Sequence, residues 1–256
     1  MTRAHTLTGA GLVLALTALS ATFVQSQARQ GEWRYFGGDK AFTRYSPLDQ
    51  INRDNVKNLQ IVWRRPAVDE SLKQVFPDLR VSAYLRSTPI MIDGMLFTQD
   101  VHGFISAFDP GSGATVWQQE PFARTPDEAV GQSTRGVDYW RGNNDQRIVA
   151  VRGEYLYALN AKTGKLYPGF GDKGRVSLHF TANQPLAGRF SDTTGPIVVG
   201  NVIVVTGNTA GAGDGGVKKE AAREDVRGFD VRTGALLWAF YVVPQAGEFG
   251  NDTWGQ

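Results

Sequence analysis

Two stretches decide the fold: Ala107-Phe-Asp109-Pro-Gly-Ser112-Gly113-Ala-Thr-Val-Trp117 and Gly228-Phe-Asp230-Val-Arg-Thr233-Gly234-Ala-Leu-Leu-Trp238. Both read Ala/Gly-x-Asp/Asn-x-x-Thr/Ser-Gly-x-x-x-Trp. A third copy, Ala158-Leu-Asn160-Ala-Lys-Thr163-Gly164-Lys-Leu-Tyr-Pro168, is degenerate, with Pro168 at the Trp position. An Asp or Asn starts a turn by bonding nearby backbone, and Gly supplies the positive φ that closes a tight hairpin. The Trp then fills space at the end of the returning strand. An internal repeat of this kind is read before any single element, because it sets the architecture.

Upstream of each turn lies a strand, a Gly-containing turn and a second strand: Pro89–Phe97 around Gly94, Arg147–Tyr157 around Gly153, and Pro196–Val205 around Gly200. Each repeat is therefore expected to be an antiparallel meander of about four strands. The turns start at 107, 158 and 228, giving spacings of 51 and 70 residues (158 − 107 and 228 − 158). These exceed the ~40–45 of the commonest propeller repeat and suit blades carrying insertions. A partial unit ends earlier, at Trp63 after Asn55-Val-Lys-Asn-Leu-Gln-Ile-Val. The expectation is an all-β propeller of roughly four blades. A β-sandwich with coincidental turns would not explain agreement at several positions.

Composition agrees. The 256 residues include 30 Gly and 11 Pro, with 41% hydrophobic and 11% aromatic residues, which suits a turn-rich β protein and excludes a disordered chain. The absence of cysteine excludes disulfides, thiol catalysis, iron–sulfur clusters and Cys zinc sites. A net charge of +2 gives no argument for nucleic acid as a partner. Residues 1–28 have a basic start at Arg3, an apolar stretch from about Leu7 to Val24, and small residues Ser26 and Ala28 before Arg29. They read as an export signal peptide, with an uncleaved membrane anchor as the alternative, since the stretch approaches the ~20 residues a spanning helix needs. Residues 29–256 are then an exported, nearly neutral partial propeller.

The opening Gly31-Glu-Trp-Arg-Tyr-Phe-Gly-Gly-Asp39, followed by Thr43-Arg-Tyr-Ser-Pro-Leu-Asp-Gln-Ile-Asn52 and Asn55-Val-Lys-Asn-Leu59, resembles the start of the quinoprotein dehydrogenases that use pyrroloquinoline quinone (PQQ). The Trp-ended repeat resembles the tryptophan-docking motif of that family's eight-bladed propeller. Thr134-Arg-Gly-Val-Asp-Tyr-Trp140 and Tyr167-Pro-Gly-Phe-Gly-Asp-Lys-Gly-Arg-Val176 are most similar to its membrane glucose dehydrogenase branch. Zero cysteines agrees, because the methanol branch carries a disulfide near where Ala129-Val130 falls.

The resemblance implies a periplasmic enzyme that oxidises a sugar or alcohol at its CH–OH group and passes electrons to ubiquinone or a cytochrome c. PQQ is a tricarboxylate quinone, so its pocket needs Arg or Lys forks, hydroxyl or amide donors, and usually a divalent cation. By resemblance the cofactor-binding candidates are Arg86, Arg135, Thr193, its neighbour Thr194, and Asn208. The family's early Ca²⁺ ligand aligns on or near Gly211, and the nearest acid, Asp214, is the metal candidate. The family's ring-stacking Trp and Asp base come later in sequence than Gln256, so no catalytic base is named. The chain is expected to be a fragment, inactive alone. The competing expectation is a non-catalytic envelope propeller that shares the docking repeats. Such a scaffold would have no reason to turn Arg135, Thr193 and Asn208 inward around one axis.

Three features carry no site. Gly211-Ala-Gly213-Asp-Gly-Gly216 fits a dinucleotide motif, but no apolar helix stripe follows it. His5, His102 and His179 are scattered, with His102 expected in a hairpin turn. The charged run Lys218–Arg227 is expected to be a solvated insertion.

Overall fold

The structure, a computed structural model, describes residues 31–81, 84–119, 131–179, 189–210, 225–242, 244 and 246–253. Three antiparallel sheets follow one another along the chain. The first runs β1 (Ile90–Ile92), β2 (Met95–Gln99), β3 (Ile105–Phe108) and β4 (Thr115–Gln118). The second runs β5 (Asp138–Arg141), β6 (Gln146–Arg152), β7 (Tyr155–Asn160) and β8 (Arg175–Ser177). In the third, β10 (Ile197–Val199), β11 (Val202–Ala210), β12 (Asp225–Asp230) and β13 (Leu236–Tyr241) repeat the order, while β9 (Arg189–Ser191) pairs with the far end of β11. These are the expected four-stranded meanders of a partial propeller. The Trp63 segment forms no strand and supplies only a docking edge.

The repeat turns form as the sequence predicts. Asp109 Oδ1 accepts from the Ser112 N–H (2.7 Å) and hydroxyl (2.6 Å), and Asp230 Oδ1 accepts from Thr233 N–H (2.8 Å) and hydroxyl (2.9 Å). Gly113, Gly164 and Gly234 take φ of 71°, 69° and 72°. These glycines have a second duty. A Cβ on Gly113 would sit 2.6 Å from the Trp63 ring, and one on Gly164 would sit 2.4 Å from the Trp117 ring. Each Trp thus lies flat against the turn glycine of the following sheet. Its Nε1–H donates to the carbonyl one residue past the turn Asp or Asn: Trp63 to Pro110 (2.8 Å) and Trp117 to Ala161 (2.9 Å).

At the third junction Pro168 has removed the Trp, and other residues take its place. Val176 packs where a Gly234 Cβ would stand, at 2.5 Å. Gly171 N–H donates to Thr233 O (2.8 Å). Arg147 Nη1 donates to Val231 O (3.0 Å) and Arg232 O (2.8 Å). Val231 follows Asp230 as Pro110 follows Asp109, so the guanidinium fills the position of the indole N–H.

Two apolar clusters lie between successive sheets. Ile90, Phe97, Ile105 and Trp117 meet Ile148, Ala150 and Leu159, and Val149, Val151 and Leu156 meet Ile203, Val205 and Phe229. A third cluster, Val68 and Leu72 against Val101 and Phe104, seats the short helix α1 (Glu70–Val75) on the first sheet. The charged run needs correction. Among its described residues, Asp225 and Arg227 begin β12 and are buried, 4% and 2% exposed. Arg227 Nη1 donates to Leu178 O (2.9 Å), its guanidinium lies over the Phe190 ring, and Asp225 is its charge partner. A charge that finds a carbonyl, a ring face and a counter-charge can be buried.

Candidate functional site

The innermost strand of each sheet is β1, β5 or β10, and the segments leading into them meet. Thr88 N–H donates to Arg135 O (2.9 Å), and Arg135 N–H donates to Thr193 O (3.0 Å). One residue thus ties the inner rims of three sheets together. Close backbone approach makes this feasible, since a Cβ on Gly195 would lie 2.5 Å from Gly136 O. Four of the sequence candidates, Arg86, Arg135, Thr193 and Thr194, are brought to this rim.

Arg135 is exposed, and its guanidinium has no hydrogen bond or ion pair among the described residues. Arg86 is more committed: its N–H donates to Ser133 Oγ (2.9 Å), its Nη1 to Gln132 Oε1 (2.7 Å), and it lies over the Tyr84 ring. The two threonines differ. Thr194 spends its N–H (2.7 Å) and hydroxyl (2.8 Å) on Asp192 Oδ1, with Thr206 Oγ1 at 3.3 Å. The exposed Thr193 hydroxyl has no such partner among the described residues. Competition for hydrogen bonds therefore favours Thr193 as the donor to a ligand. Asn208 pairs through its backbone with Ser191, next to Asp192, but its side chain lies outside the described residues, as do Asp214 and residues 1–28.

Asp192 is a rim residue absent from the sequence candidates. Its Oδ2 is buried and has no hydrogen-bond partner among the described residues. Burial pushes its carboxyl above the usual range, against the bonds from Thr194 and Gly195. The signal was local, an Asp two residues before a Thr-Gly turn. Among the described residues no group of three or more His, Asp or Glu side chains stands ready for a metal. A cation at the rim would take Asp192 Oδ2 and main-chain or ligand oxygens.

The opening segment lies along the same inner edge. Trp33 exchanges backbone bonds with Met91 (2.9 and 2.8 Å). Lys40 reaches the fully buried Asp138 carboxylate while its ammonium lies over the Tyr35 ring at 4.2 Å. Asp138 also accepts from Val198 N–H (2.6 Å), joining β5 to β10. Burial raises the Asp138 carboxyl and the Lys40 charge opposes it. His102 occupies the β2–β3 turn as expected and is buried. A cavity of about 240 Å³ lies elsewhere, between the Trp63–Asp69 segment and the first sheet, and meets the rim at Ser87 and Gln99.

Residues 33–256 match the family model described as "PQQ: Glucose/ethanol/alcohol dehydrogenase, beta-propeller domain". The chain belongs to this family. It is 31% identical over 238 residues to quinoprotein glucose dehydrogenase A of Acinetobacter calcoaceticus, covering 82% of this chain and 28% of that protein. It is 28% identical over 238 residues to the dehydrogenase subunit of an alcohol dehydrogenase (quinone) of Gluconacetobacter polyoxogenes, covering 89% and 27%. The chain thus spans a little over a quarter of these relatives' length. In fold it is similar to the quinohemoprotein alcohol dehydrogenase of Comamonas testosteroni, with a TM-score of 0.62 at 23% identity over 86% of this chain and 28% of that one. No described helix of this family member is long and apolar enough to cross a membrane.

Proposed function

We propose that the chain forms the cofactor-binding inner rim of a PQQ-dependent dehydrogenase that oxidises a sugar or alcohol. The observation that carries the reading is Arg135, whose guanidinium has no partner among the described residues and whose backbone is fixed on both sides at the meeting point of three sheets. PQQ, when bound, supplies the two-electron acceptor for alcohol oxidation. Arg135 offers a fork to one cofactor carboxylate, Arg86 adds positive charge, and the Thr193 hydroxyl donates a hydrogen bond. Asn208 is the further donor expected from the sequence, and Thr194 holds Asp192 in place. Asp192 Oδ2 fits a hard cation, with Asp214 as the further ligand expected from the sequence for Ca²⁺. The protein is exported to the periplasm by residues 1–28, or held at the membrane by them, and passes electrons to a quinone or cytochrome. These residues thus contribute binding and orientation.

The test is titration of the full-length protein with PQQ in the presence of Ca²⁺, followed by dye-linked oxidation of sugars and alcohols. A charge-assisted bond is worth about 1.5–3 kcal/mol, so Arg135→Ala should weaken PQQ binding roughly 10- to 100-fold. A wild-type protein that binds no PQQ would refute the assignment and leave a propeller scaffold.

A further inference from the structure

Gln99 ends β2 at an inward-facing position and is 1% exposed. All the hydrogen-bonding groups of its amide are used. Oε1 accepts from the Thr134 N–H (2.9 Å) and hydroxyl (2.8 Å), and Nε2 donates to Gly103 O (3.1 Å) and Val151 O (2.9 Å). The orientation of the amide is fixed chemically, because a backbone N–H faces the oxygen and two carbonyls face the nitrogen. The side chain therefore braces the first sheet, through β2 and the β2–β3 turn, against the second, through β6 and the segment entering β5.

Thr134 immediately precedes Arg135. Gln99 holds Thr134 on one side of Arg135, while Thr88 and Thr193 hold the backbone of Arg135 itself. The Thr134 hydroxyl is shared between Gln99 Oε1 and Gly136 O (2.9 Å), so the brace also fixes the residue after Arg135. Nothing else among the described residues makes side-chain hydrogen bonds to Thr134 from the first sheet.

We propose that Gln99 is a positioning residue for PQQ binding. It sets where the Arg135 guanidinium stands at the rim without touching the cofactor. The inference rests on the cofactor reading above. A change at Gln99 would then be transmitted as lost affinity through Arg135, since positioning errors of about 1 Å are costly at such a site.

Gln99→Glu tests this. The introduced side chain, when ionised, keeps the acceptor facing Thr134 but turns a second oxygen toward two carbonyls, and burial raises its pKa. Once protonated, the new carboxyl regains one donor. PQQ dissociation constants are measured for full-length wild type, Gln99→Glu, Arg135→Ala and the double variant from pH 5 to 8, with melting temperatures recorded for each. At pH 8 Gln99→Glu should bind PQQ at least tenfold more weakly than wild type, and the ratio should shrink to within about threefold at pH 5. In the Arg135→Ala background the same change should add less than about twofold. A wild type that binds no PQQ refutes the cofactor reading itself. A wild type that binds, with Gln99→Glu equal to it at pH 8, overturns the positioning role. So does a ratio that does not shrink at pH 5, or a full additive loss in the Arg135→Ala background.

Discussion

Arg147 stands where the repeat lacks its tryptophan, and its removal should cost what a docking residue costs. The residue is 6% exposed. It donates to Val231 O and Arg232 O, pairs with Asp145 Oδ2 through Nε (2.8 Å) and Nη2 (2.7 Å), and lies 3.9 Å over the Tyr167 ring. Arg147→Met keeps most of the apolar stem but removes the donors to both carbonyls and to the carboxylate, leaving the buried Val231 O unpaired. Hydrogen bonds from a charged group contribute about 1.5–3 kcal/mol each. Arg232 is exposed, so its carbonyl can turn to water and counts for little. The expected loss is therefore about 2–4 kcal/mol, well beyond the ~0.5 kcal/mol of an ordinary surface change. It should appear as a lower denaturation midpoint at unchanged slope, with faster amide exchange in the Val231–Gly234 turn. A loss within about 0.5 kcal/mol of wild type would refute the substitution of arginine for indole at this junction.

The same variant has a pH signature. Burial acts to raise the Asp145 carboxyl, but the bonds from Arg147 and Tyr167 outweigh it and hold it below the usual range. A depressed folded-state pKa adds stability above the unfolded value of about 3.9, and that stability is lost as pH falls through the folded value. Without Arg147 this contribution shrinks, so the acid-unfolding midpoint of Arg147→Met should move to higher pH.

Two other substitutions probe separate parts of the fold. Gly164→Ala meets the Trp117 ring at 2.4 Å with φ at +69°, whereas Gly153→Ala has φ +57° and open space. Denaturation should give losses of about 3–4 kcal/mol for the first and about 1 kcal/mol for the second, and equal losses would remove docking as the reason for glycine in the repeat. Asp100 in the β2–β3 turn is pushed by burial to about 6, against bonds from the His102 and Phe104 N–H groups. A raised pKa means that ionisation costs folding stability as pH climbs from about 4 to about 6. Asp100→Asn should flatten the stability profile there by up to about 3 kcal/mol, and parallel profiles would refute a buried, neutral-preferring carboxyl.

The turns were legible because their chemistry closes within five residues. Asp109, Ser112 and Gly113 specify one another whatever surrounds them. The bonds that Thr194 makes to Asp192 are also local, two residues apart. What stayed illegible spans the seams between sheets. Arg147 and Val231 are 84 positions apart, and nothing in the residues flanking an arginine announces which distant carbonyl it will meet. Arg227 looked like the tail of a solvated run because its ring and carbonyl partners, Phe190 and Leu178, lie 37 (227 − 190) and 49 residues away. Gln99 had a faint signal, a polar residue on the inward side after Phe97, but its meaning depends on Thr134 in the next sheet. The rim is itself a seam: Arg86, Arg135 and Thr193 each lead into a different sheet. A site assembled at such junctions inherits its geometry from the docking between sheets. A loosened seam, at Gln99 or at Arg147, should therefore displace rim side chains that the substitution never touches.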